Sequence, residues 1–148
     1  MSQTEALRER LGNEYYFVSV EPAPVAGPFP QRAADSMSLS LTAGGGYSVR
    51  SPINSGSGGS FTLATDGDKT TITFGGAAWT ERGLGRVSGD DANGTLKRRM
   101  EEAEDFLQAR LSKAAGPYEL ELRGAESGHQ LVLKSQSDGA VLIFAPRD

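Results

Sequence analysis

The chain of 148 residues contains no cysteine, one histidine and one tryptophan. The lack of cysteine excludes a disulfide framework, a thiol nucleophile and thiolate metal ligation together. A single histidine, His129, provides no pair for a metal, so any metal site would have to be built from carboxylates alone. Long hydrophobic runs are missing too: none approaches the roughly 20 apolar residues that a bilayer-crossing helix needs, and no membrane span is expected. Excess positive charge is also absent. With 15 basic against 19 acidic residues the formal net charge is −4, and the one basic cluster, Lys97-Arg98-Arg99, runs directly into Glu101, Glu102, Glu104 and Asp105. Nothing in this balance attracts a phosphate backbone, so nucleic acid is not an expected partner. The stretch Met1 to Glu5 has neither the basic start nor the apolar core of a secretory signal, which favours a cytoplasmic location. A chain whose leader had been removed would read the same way and would fit an envelope location.

What is present suits one globular domain, residues 1–148, with 37% hydrophobic and 23% charged residues. Ser2-Gln3-Thr4-Glu5 has capping-box spacing and Leu7 and Leu11 lie one turn apart, so a short N-terminal helix is expected, ended by Gly12. Tyr15 to Val20 is aromatic and β-branched and reads as a strand. Four prolines between Glu21 and Gln31 predict an extended loop. Met37, Leu39 and Leu41 alternate with serines as in a half-buried strand, and Ser51 to Ser60, rich in Gly and Ser, reads as a loop. An Asp-Gly turn at Asp66-Gly67 between Phe61-Thr62-Leu63 and Thr70 to Phe74 predicts a hairpin. From Leu96 the period changes: Leu96, Met100, Ala103, Leu107 and Leu111 recur at three- and four-residue steps. The intervening Lys97, Arg98, Glu101, Glu104 and Asp105 form the solvated face of the one main amphipathic helix. Asp90, Asp91 or Asn93 would cap it and Gly116-Pro117 would end it. Three strands follow, over Tyr118 to Leu122, Gln130 to Lys134 and Val141 to Phe144, with connections too short for parallel crossovers. The expected class is α+β, a curved antiparallel sheet packed by the main helix, with the short N-terminal helix added.

The residues that could carry chemistry do not assemble into a catalytic pattern. A hydrolase would need His129 beside a serine and a carboxylate, and no Gly-x-Ser-x-Gly elbow follows a strand. Asp66 and Asp68 open what could be a calcium loop, but the twelfth position holds Ala77 where an EF-hand has Glu. None of the glycine clusters, Gly44 to Gly46, Gly56 to Gly59 or Gly83-Leu84-Gly85, precedes the Lys-Ser/Thr of a phosphate-binding loop. The expectation is no enzymatic activity, no cofactor and no metal site.

The order of these pieces resembles the META domain family, the domain of HslJ-like heat-shock proteins. The family's loop is matched by Asn54, Gly58 and Phe61, its hairpin by Thr62 to Phe74 and its central Thr by Thr80. Its helix is matched by Glu102, Phe106, Leu107 and Leu111, and its closing strands by Tyr118, Leu131, Leu133, Gly139, Leu142 and Phe144. The likeness spans residues 36–146. The chain departs from the family at Ile53, beside the loop Asn where many members have Cys. It departs again over Trp79 to Gly85, where many have a Thr-Arg-Met-Ala-Cys-like stretch. The resemblance implies an α+β domain without established enzymatic chemistry, associated with stress response and envelope function. On this reading the chain is a non-enzymatic stress-response or protein-interaction module whose partner the sequence does not name. Its candidate interaction residues are Asn54, Trp79, Thr80, Glu81, Arg82 and Arg86, since an indole beside guanidinium groups is a common interface anchor. The alternative is a carrier for a small apolar ligand, with Tyr15, Phe17, Tyr47, Phe61, Phe74 and Trp79 lining a pocket in the curved sheet.

Overall fold

The computed structural model describes residues 3–22, 27–80, 91–111, 117–124 and 130–146. Helix α1 (Gln3–Leu11) leads into strand β1 (Asn13–Glu21), and a connection holding the short helix α2 (Gln31–Ala34) leads to β2 (Ser38–Leu41). Strands β3 (Gly46–Arg50), β4 (Ser55–Asp66) and β5 (Lys69–Phe74) follow, and then the two-residue strand β6 (Ala78–Trp79). Helix α3 (Thr95–Arg110) precedes the last three strands, β7 (Tyr118–Arg123), β8 (Gln130–Ser135) and β9 (Val141–Ala145).

Apart from β6, every strand pairs antiparallel with its neighbours in the chain, and β9 returns to pair with β1. The ring β1-β2-β3-β4-β5-β7-β8-β9 is a closed, up-and-down barrel of eight strands, with β6 added alongside β4. An even strand count lets an antiparallel meander close without a parallel seam, and closure removes the open edges that a curved sheet would expose. The hydrophobic positions on alternate residues turn inward. Tyr15, Leu39, Ile72, Phe74, Tyr118, Leu131, Leu133, Leu142 and Phe144 have at most 1% of their surface exposed, so the bore is filled by side chains.

The helices close the two mouths. At one end Leu11 of α1 is fully buried, and Gly12 lies against Ala43 in the β2–β3 turn. At the other, α3 meets the 51–54 connection through Glu104, the β8–β9 turn through Arg110 and the start of β7 through the Tyr118 hydroxyl. The N-cap of α3 is Gly94, at φ 68°, where Asp90, Asp91 or Asn93 was expected. Asp91, three residues earlier, accepts the backbone N–H of Thr95 at 2.9 Å. The helix ends at Arg110, before the expected Gly116-Pro117 stop, of which Gly116 lies outside the described residues.

The expected α+β arrangement, an open curved sheet packed on α3, is incorrect: the protein is a mostly β closed barrel, and α3 lies across its mouth. Two features hid the closure. Ser55 to Ser60 is strand, not loop, and joins β3 to β4; and β1 carries the seam to β9. Two of the three glycines of β4 are explained by neighbouring rings, and the third, Gly58, by its φ of 73°. A Cβ on Gly59 would lie 2.5 Å from the Tyr47 ring, and one on Gly56 would lie 2.8 Å from the Trp79 indole.

Candidate functional site

Three of the six candidate interaction residues come together at the α3 end. The Thr80 hydroxyl donates to Asn54 Oδ1 at 2.8 Å and accepts the Ser55 N–H at 3.1 Å, while the Thr80 N–H donates to the Ser55 carbonyl. Trp79 pairs with Gly56 across β4–β6 and lies half-buried over it. Glu81, Arg82 and Arg86 lie outside the described residues, as does His129. The Asn54–Thr80 contact fastens β6 to the barrel rim.

The residue that organises this rim is Glu104, placed on the solvated face by the sequence reading. Its side chain is buried, and its carboxylate accepts the backbone N–H groups of Ile53 at 3.0 Å and Asn54 at 3.1 Å. Two charge-assisted bonds compensate the desolvation of one carboxylate and hold the 51–54 connection against α3. Glu102, the residue matched to the family's helical Glu, is instead half-exposed and pairs with Arg99 at 2.7 Å. The missed signal was spacing: position 104 lies four residues after Met100 and beside Ala103, on the apolar stripe.

The aromatics expected to line a carrier's pocket divide between bore and rim. Tyr15, Tyr47, Phe61 and Phe74 are packed in the core, with the Tyr47 and Phe74 ring centroids 4.9 Å apart. Three buried tyrosines direct their hydroxyls at carbonyls near helix ends. Tyr15 donates to Leu11 at 2.9 Å, Tyr118 to Arg110, and Tyr47 to Leu111 at 3.3 Å and to Gly75. These bonds satisfy carbonyls that a helix terminus leaves without an internal partner. Burial pushes the Tyr15 phenol up to about 12 and raises those of Tyr47 and Tyr118, so all three remain protonated donors at neutral pH.

Phe17, at the edge of the bore, borders an opening. Strand β1 pairs with β2 only over 13–16, then diverges to make room for α2, and its ladder with β9 carries a bulge between Phe17 and Ser19. The extra residue, Val18, is 50% exposed and is the only large hydrophobic so exposed among the described residues. On one side of it lies a cavity of about 220 Å³ lined by Phe17, Val20, Pro28 and Phe29. On the other lies one of about 270 Å³ reaching Tyr16, Ala145 and Pro146. The two share Phe17, Val18, Gln31 and Ala34 and form one cleft between β1 and α2. Its aromatic wall continues through Phe29 and Phe106, whose centroids are 5.3 Å apart. Arg99 fixes that wall, donating to the carbonyls of Gly27 at 2.6 Å and Pro28 at 2.8 Å with its guanidinium 5.6 Å from the Phe29 ring. The sequence carries no local signal of it: Tyr15 to Val18 are four consecutive hydrophobic residues, and only the bulge against β9 sets Val18 outward. The cleft can bury an apolar body, with Ser19, Tyr16 and Gln31 as polar residues on its lining.

A second depression, of about 360 Å³ and wide open, lies beside Trp79 with Asp105, Gln108 and Ala109. Among the described residues no group of three or more His, Cys, Asp or Glu side chains is placed to hold a metal ion, and no helix is long and apolar enough to cross a membrane.

The fold thus defines a closed eight-stranded meander barrel with helix-covered mouths and a cleft on its wall. No family model, no curated protein and no solved structure matches the chain.

Proposed function

We propose that the protein is a non-catalytic binding domain that holds a small apolar ligand in the cleft between β1 and α2. The observation that carries this reading is the pair of adjoining cavities around the bulged, half-exposed Val18, walled by Phe17 and Phe29. Bulges commonly adjoin binding sites because they re-aim a side chain and leave a strand locally unpaired. Each cavity falls just below the roughly 300–1,000 Å³ of typical ligand pockets, which suits a compact ligand. This is the carrier alternative with its site moved from the bore to the wall.

Titration with the neutral fluorophore 1-aminoanthracene tests the reading. The expected result is saturable emission enhancement at one site, reversed by competing aliphatic or aromatic molecules and lost in Val18→Lys. Absence of saturable binding to the wild-type chain would overturn it.

The interaction-module reading, with the stress-response role that the META-like motif order implies, has its own support in the half-buried Trp79 beside an open depression. A protein partner there would shift Trp79 fluorescence and leave 1-aminoanthracene binding intact.

A further inference from the structure

A second, chemically different depression lies on the outer face of β1 to β4. Its volume is about 280 Å³ and it is lined by Glu14, Ser38, Ser40, Ser48, Arg50 and Ser57, among others. The register explains its form. Glu14 stands opposite Ser40 and Ser40 opposite Ser48, while Ser38 stands opposite Arg50, so short hydroxyl side chains occupy the middle of four strands and longer ones the margin. The β3–β4 register shift between Tyr47 and Val49 sets Ser57 and Gly58 out of the ladder at the far side, with Gly58 at φ 73°. On β5 and β7 the outward positions carry larger groups, Thr71 and Thr73 or Glu119 and Glu121. The small residues therefore make a trough on this face alone among those compared.

The polar groups in the trough converge. Glu14 is half-buried and has no cation within ion-pair distance among the described residues; its Oε1 accepts from the Tyr16 hydroxyl at 2.6 Å. Its Oε2 receives the Ser38 and Ser40 hydroxyls only at 3.5 and 3.4 Å, long distances that leave acceptor capacity on this oxygen. Ser38 is 1% exposed and forms part of the floor. On the opposite margin, across β2, the exposed Arg50 offers a fork of donors. The serines between them both donate and accept.

We infer that this trough binds a neutral, polyhydroxylated small molecule of the monosaccharide class. For a ligand of a single charge the carboxylate on one margin and the guanidinium on the other offset each other, while the serines between them suit hydroxyl groups. A ring of vicinal hydroxyls donates to Glu14 Oε2, accepts from Arg50 and exchanges bonds in either direction with the serines. The site is separate from the β1–α2 cleft, and neither reading depends on the other.

Amide chemical-shift titration of the ¹⁵N-labelled protein with D-glucose, D-galactose, D-mannose and N-acetylglucosamine tests it. The expected result is saturable shifts at Glu14, Ser40 and Ser48 for at least one sugar, with a dissociation constant of about 1 mM or tighter. Glu14→Gln weakens binding by about tenfold, and the double variant Ser40→Val, Ser48→Val, which fills the trough at outward strand positions, abolishes it while the remaining spectrum is retained. No saturable shift with any of the four sugars, or shifts that persist in the double variant, would overturn the inference.

Discussion

Gly59 shows how a single residue type can carry opposite meanings. In sequence it belongs to a run of glycine and serine that resembles a flexible loop; in the fold its missing Cβ is the space occupied by the Tyr47 ring. Gly59→Ala forces that ring against Phe74, and overpacking of this kind costs about 1–3 kcal/mol. A lowered denaturant midpoint with unchanged slope is the expected result, and an unchanged midpoint would show that Tyr47 relaxes freely. Asn54 and Thr80 were each singled out in sequence, but their contact was not legible, since 26 residues separate them in the chain. Glu104 was not, because a charged residue on a helix is read as solvated unless the backbone N–H groups it serves are known. Those donors lie 50 or more residues away in the chain, beyond the reach of any local pattern.

At the scale of elements, the helices α1 and α3 were legible from periodicity, though the N-cap of α3 is Gly94 and its end at Arg110 falls short of Gly116-Pro117; the β4–β5 hairpin, closed through Gly67 and Asp68, was legible too. Their purpose was not. The amphipathic stripe of α3 reads equally well as a helix laid across a sheet or one laid over a barrel mouth. The long-range contacts decide it: Arg110 binds Asp138 of the β8–β9 turn at 2.6 Å, a contact that, with the Ala140 N–H, holds the Asp138 carboxyl well below the usual carboxylate range. The buried tyrosines join the helix ends to the strands, and their raised pKa values have a stability consequence. Tyr15 titrates near 10 when unfolded and about 12 when folded, so the native state binds the extra proton between these values. Its contribution is therefore complete below about pH 10 and declines as pH rises toward 12. Wild-type stability should fall more steeply over that window than that of Tyr15→Phe, as followed by denaturant unfolding at fixed pH. Equal slopes would show that the Tyr15 hydroxyl is not held in the native core.

For the whole molecule, antiparallel pairing was legible and closure was not, because each strand shows only its own alternation and not which neighbour completes the ring. One strand, β4, was half concealed by its glycines, and without it β3 had no onward partner. Closure also moves the binding question. An open curved sheet would offer its concave face to a ligand, whereas this bore is occupied by side chains with essentially no exposed surface, leaving the wall at the β1 bulge as the place for an apolar guest. Comparing 1-aminoanthracene binding by Ala34→Phe, which fills the cleft, with that by Phe74→Leu, which loosens the bore, tests this claim most directly, with circular dichroism confirming both folds. The account predicts loss of binding in Ala34→Phe and retention in Phe74→Leu; retention in the first with loss in the second would place the ligand in the bore and contradict it.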